Sequence, residues 1–124
     1  MNINERRSIR KYADKEVSDE LLNRLLGDAE RTQTMGNMQL YSVVVTRSKE
    51  MKARLAPAHF NQPMVQQAPV VLTFCADFNR FEKWCLQSGA KPGFRNFESL
   101  VSAMLDATIV AQQFNTIAEL NGLG

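Results

Sequence analysis

The chain has 124 residues, 44% hydrophobic and 23% charged, the balance of one globular domain with apolar mass for a single core. Lysine and arginine number 15 against 13 acidic residues, a net charge of +2 that argues against bulk nucleic-acid binding. No apolar run approaches the roughly 20 residues that cross a bilayer, and "MNINERRS" lacks the apolar core of a secretory signal. No membrane partner and a cytoplasmic location are therefore expected.

The first notable stretch is "ERRSIRKY", which puts Arg6, Arg7, Arg10 and Lys11 into six consecutive positions. A short helix is expected over 4–8, its end letting the arginines converge. Guanidinium forks match phosphate oxygens bidentately and Ser8 adds a hydroxyl. Solvated surface, anion cradle and nucleic-acid contact all remain open from these residues alone.

"VSDELLNRLLGDAER" follows. Ser18 is an N-cap, Asp19 and Glu20 occupy the first turn where the helix dipole favours anions, and Leu21, Leu22, Leu25, Leu26 and Ala29 make one stripe. Gly27 within this amphipathic helix reads as a close packing contact. "TQTMGNMQ", 32–39, is polar and reads as a loop, and "LYSVVVT", 40–46, as a buried strand. "RSKEMKARLA" is a short surface helix, and "PAHFNQPMVQQ" is expected to be irregular. "APVVLTFCAD", 68–77, is a continuous apolar run, the pattern of a central strand covered on both faces.

"FNRFEKWCLQSG" reads as a helix, "AKPGFRN" as a loop, and "FESLVSAMLDATIVAQQFNTIAELNG" as a helix of over twenty residues. Its apolar residues, Phe97 to Leu120, leave almost no polar face. In a chain this small, that pattern calls for a second copy on one side. The element order gives an α+β or α/β sandwich around a short sheet in a single domain, 1–124. The chain closes on "NGLG" directly after this helix, which reads as an incomplete fold.

Chemistry-bearing motifs are sparse. Cys75 and Cys85 do not have zinc-site spacing, His59 is the one histidine, and no metal site is expected. Paired carboxylates and phosphate-binding glycine loops are missing, and no catalytic residue can be assigned. An enzyme built from these residues would need a bound cofactor for its chemistry. Thr34, Asn37 and Gln39 before the first strand and Asn61-Gln62 before the second could read a heterocycle edge, or could serve as ordinary turn residues.

The segments "RRSIRKYADKEVSDELLNRLLGDAERTQTMGNMQ", "FNQPMVQQAPVVLTFCADFNR" and "LDATIVAQQFNTIAELNGLG" resemble, in order, three landmarks of the FMN-dependent nitroreductase family. The second resembles the NADPH-preferring, oxygen-insensitive branch most. The resemblance implies an α+β nitroreductase-like sandwich, a central sheet between helices, with the C-terminal part of the family fold missing. It implies a homodimer, here through the long C-terminal helix, with FMN at the subunit interface. Arg6, Arg7, Ser8 and Arg10 would then hold the phosphate and part of the flavin ring. Thr34, Asn37 and Gln39 would contact the cofactor from their loop, and Gln62, Pro63 and Met64 would border the ring and ribityl chain. The implied reaction is ping-pong, passing hydride from NAD(P)H through the flavin to a small-molecule oxidant such as a nitroaromatic or quinone. A chain that ends at Gly124 leaves a second reading, a non-catalytic flavin-binding or dimer-forming protein. The loop lacks the Pro-Ser and Pro-Trp pairs of many relatives.

Overall fold

A computed structural model describes residues 3–124. Ser18 ends an extended segment, and its side-chain oxygen accepts a hydrogen bond from the Leu21 N–H at 3.2 Å, satisfying an otherwise orphaned donor. Helix α1, Asp19–Ala29, starts there and buries Leu22, Leu25 and Ala29 on one side. Strand β1, Tyr41–Thr46, is followed by α2, Lys49–Leu55, capped by Ser48, then a 3-10 turn, Ala56–His59, and α3, Pro63–Gln67. Strand β2, Val71–Ala76, leads to α4, Asn79–Gln87. The last element is α5, Phe97–Leu120, capped by Asn96, whose Oδ1 accepts from the Ser99 N–H at 2.9 Å.

The strands pair antiparallel, with Tyr41 opposite Ala76, Val43 opposite Phe74 and Thr46 opposite Val71. Strand alternation sends Tyr41, Val43, Leu72 and Phe74 to one face. Tyr41 and Val43 pack with Ala107 and Val110 of α5, and Phe74 bridges to the larger cluster. That cluster joins Leu22, Leu25 and Ala29 of α1 to Phe114 and Ala118 of α5, with the Phe74 and Phe114 rings 5.9 Å apart. Helix α5 is thus the common wall for α1 and the sheet. The described part of the fold is α+β, as expected.

Four local expectations change. The helix expected over 4–8 is only a 3-10 turn, Ile3–Glu5, and the basic residues follow without regular structure. Four cations in six positions repel one another, and one turn is too short to offset the cost of nucleation. The stretch 57–67, expected to be irregular, takes part in two short helical turns, Ala56–His59 and Pro63–Gln67, because Pro57 and Pro63 start them rather than break them. Strand β2 is half-buried along Val71–Cys75 and has one partner strand among the described residues. Finally, Gly27 packs against nothing: a Cβ there would meet no atom within 4 Å.

The last point yields a simple test. Gly27→Ala removes backbone freedom from the unfolded chain without introducing a clash. It should stabilise the protein by about 1 kcal/mol and raise the thermal midpoint by about 4 °C. An unchanged or lowered midpoint in a calorimetric scan would show that this face of α1 is already covered.

Candidate functional site

The basic segment lies against the C-terminal end of α5. Arg6 Nη2 stands 2.9 Å from Glu119 Oε1, and the carboxylate is the less exposed partner, at 20% against 35%. An anion is disfavoured in the last turn of a helix by the aligned peptide dipoles, so Arg6 relieves that cost. A cleft of about 490 Å³ opens beside this pair, with Arg6, Arg7, Lys11, Tyr12 and Glu119 on its walls. Arg7, Ser8 and Arg10 are exposed, and neither Arg7 nor Arg10 has an ion pair among the described residues. Arg6 and Arg7 line the cleft, and Ser8 and Arg10 do not.

The loop before β1 is held far more tightly than its polar composition suggests. Thr34 is extended, and Met35–Asn37 forms a 3-10 turn. Gly36, Asn37 and Gln39 all have left-handed backbones, with φ of 54°, 55° and 54°. Side chains at such positions are strained unless the surroundings hold them. Here the surroundings do so. The Gln39 N–H donates to Thr34 Oγ1 at 3.3 Å, and Arg80 Nη2 donates to the Gln39 carbonyl. The Met35 N–H donates to Asp106 Oδ1 at 2.8 Å. The Leu40 N–H donates to Asp106 Oδ2 at 3.1 Å. The side chains of Asn37 and Gln39 stay exposed, Thr34 is half-buried, and the backbone between them is fastened to the protein.

The second polar segment also begins on left-handed residues, Phe60 at φ 55° and Asn61 at 53°. Gln62 precedes the first turn of α3, with Gln62 and Pro63 exposed and Met64 half-buried. At the other end of α3, buried Lys52 donates its Nζ to the carbonyls of Gln66 and Ala68, at 3.2 and 2.7 Å. No residue of 34–39 or 62–64 lines the cleft at Arg6.

Sequence reading missed Asp106, Arg80, Glu119 and Lys52. Two of them carried a usable signal: Asp106 is the acidic residue in the middle of an otherwise apolar helix, and Glu119 sits at the wrong end for its charge.

Asp77 ties β2 to β1 and to α4. The Ser42 hydroxyl donates to Asp77 Oδ2, and the N–H groups of Asn79 and Arg80 donate to Oδ1. The Ser42 bond, assisted by these N–H groups and by Arg80, holds the carboxyl below its ordinary value against the opposing effect of burial. A carboxyl that titrates lower when folded adds stability above its unfolded pKa and loses it as pH falls through the folded one. Ser42→Ala should move the Asp77 titration upward in NMR and shift acid unfolding to higher pH. An unmoved Asp77 resonance would assign the depression to the backbone donors instead.

The chain matches the Nitroreductase family over residues 3–124. It is 34% identical over 126 residues to FMN reductase [NAD(P)H] of Bacillus subtilis (strain 168), covering 99% of this chain and 50% of that protein. The oxygen-insensitive NADPH nitroreductase of Salmonella typhimurium is 31% identical, with 95% of this chain and 48% of that protein covered. Among solved structures, the NfrA1 nitroreductase of B. subtilis superposes with a TM-score of 0.91 at 30% identity, covering 98% of this chain and 50% of that one. A crystal structure from Bacteroides fragilis NCTC 9343, of a chain provisionally described as an oxidoreductase, reaches 0.96 at 57% identity with 98% and 50% covered. The chain spans about half the length of the relatives it matches. On its sequence and its fold alike, this chain belongs to the nitroreductase family.

Proposed function

We propose that this chain is the FMN-holding part of an NAD(P)H-dependent oxidoreductase that acts as a homodimer in the cytoplasm. The observation that carries the reading is the exposed basic segment: neither Arg7 nor Arg10 has an ion pair among the described residues, within a chain that matches the family along nearly its whole length. The donor set fits a phosphate. Arginine forks would bind phosphate oxygens bidentately, and the Ser8 hydroxyl would add a single neutral donor. Thr34, Asn37 and Gln39 on the fastened loop supply exposed amides and a hydroxyl toward a heterocycle edge, with Gln62, Pro63 and Met64 as the second border.

Bound FMN would supply the two-electron chemistry that no side chain here offers, letting NAD(P)H reduce nitroaromatics, quinones or similar oxidants in a ping-pong sequence. The chain's own part is to bind, orient and neutralise. Cationic side chains stabilise negative charge that develops on a reduced ring, and a rigid loop does so with little reorganisation. The relatives' activities, FMN reductase and NADPH nitroreductase, are the same chemistry with different acceptors.

The second copy would dock on α5. Its buried line runs through Ser99, Ala103, Asp106, Val110, Phe114 and Ala118. The other side exposes Leu100 at 52%, Met104 at 54% and Leu105 at 46%, with Phe97 and Ile109 continuing the strip. An apolar strip of this length along one helix is the composition of an obligate interface.

Two measurements test the proposal. Purified protein incubated with FMN should show flavin bands that bleach when NADPH is added anaerobically. A colourless protein would overturn the reading, and bands that persist would favour a non-catalytic flavin binder. Replacing both Arg7 and Arg10 by alanine should weaken FMN binding roughly ten- to a hundredfold, the scale of one or two charged hydrogen bonds. For the dimer, Met104→Glu with Leu105→Glu should give a folded monomer by sedimentation velocity. A dimer that survives both charges would move the interface off α5.

A further inference from the structure

We infer that Asp106 is the positioning residue for the 34–40 loop, and that the loop's ability to present Thr34, Asn37 and Gln39 to a cofactor depends on it. The inference rests on the cofactor reading of that loop given above. Its structural half stands independently.

Asp106 has no exposed surface and lies midway along α5. None of the ion pairs among the described residues includes it. An unpaired buried carboxylate is costly unless its oxygens are hydrogen-bonded. Both are: Oδ1 takes the Met35 N–H and Oδ2 takes the Leu40 N–H. One side chain therefore clamps the two ends of the loop to the helix that also packs against α1 and the sheet.

What lies between the clamped ends explains why a clamp is needed. Gly36, Asn37 and Gln39 occupy the left-handed region, which a free chain would leave for extended or helical backbone. Fixing Met35 and Leu40 over-determines the residues between them. Arg80, by donating to the Gln39 carbonyl, adds a third fastening from α4.

The chemistry also specifies the residue type. Two N–H donors converge on two separate oxygens of one group, and a carboxyl side chain presents an oxygen to each. Asparagine keeps the volume but turns an NH2 toward one of the two donors. Glutamate adds a methylene in a position with no free surface.

The test compares Asp106→Asn with Met35→Pro and with Leu22→Val. Met35→Pro deletes one donor from the loop side at the first position of the 3-10 turn and leaves Asp106 in place. Leu22→Val loosens the core contact of α1 with α5, away from the loop. Two readouts are taken on the same samples: amide hydrogen exchange at positions 35 and 40 against Leu25, and FMN affinity by fluorescence quenching. Asp106→Asn is expected to speed exchange at Met35 or Leu40 about tenfold more than at Leu25, and to weaken FMN binding about tenfold, the equivalent of one charge-assisted hydrogen bond. Met35→Pro should speed exchange at Leu40 and weaken FMN in the same direction. Leu22→Val should lower the melting temperature and leave FMN affinity unchanged.

If exchange at 35 and 40 changes only in step with Leu25, Asp106 does not clamp the loop and the inference falls. If the loop loosens selectively but FMN affinity holds, the clamp is real and its role toward the cofactor falls. If the parent chain takes up no FMN, the functional reading fails, while exchange still decides the clamp. If Asp106→Asn does not fold, Met35→Pro decides both readouts alone.

Discussion

The carboxylate of Asp106 is the contact on which the arrangement of this molecule turns. It sits on the one helix, α5, that supports α1 through Phe114 and Ala118 and the sheet through Ala107 and Val110. From there it receives both ends of a loop that has no core of its own. A charged group in such a place stabilises little by itself, because desolvation offsets most of what the hydrogen bonds contribute. Its effect is geometric: it converts a polar segment with three left-handed residues into a surface of fixed shape.

The basic segment follows a different logic. It has no regular structure after Glu5, and its ion pair among the described residues is Arg6 with Glu119 at the end of α5. An exposed pair of this kind contributes modestly, about 0–1 kcal/mol. It sets direction instead, bringing Arg6 and Arg7 to the walls of one cleft, which Arg10 does not line. A segment without regular structure can rearrange around a multivalent anion, and the ordering it undergoes on binding costs affinity. The loop and the basic segment thus represent two ways of preparing a site, one prefastened and one adaptable.

The two sides of α5 belong to different neighbours. Small residues, Ala103, Ala107 and Ala118, line the buried side, where the sheet and α1 approach closely. Larger ones, Phe97, Leu100, Met104 and Leu105, stand on the open side, where no described element covers them. The same division appears at β2, which pairs with β1 along one edge and is only half-buried. Among the described residues, no helix is long and apolar enough to cross a membrane.

The sequence by itself determined the periodic elements, because burial writes a repeat into the chain. Ser18, the leucine stripe of α1 and the apolar residues spread round α5 were legible, as were both strands to within a few residues. The ordered family landmarks were legible too, since they depend on residue identity rather than on contacts. The proline-started turns at 56–67 were not, because a proline that opens a helix and one that ends it look alike without the flanking backbone. Tertiary structure alone decided what fastens the candidate site. Asp106 lies 71 and 66 positions from its partners Met35 and Leu40, Glu119 pairs across nearly the whole chain with Arg6, and Arg80 reaches back 41 positions to Gln39. Each is a single contact with no period to reveal it. A lone polar residue in a helix says only that it needs a partner, and the folded chain says which.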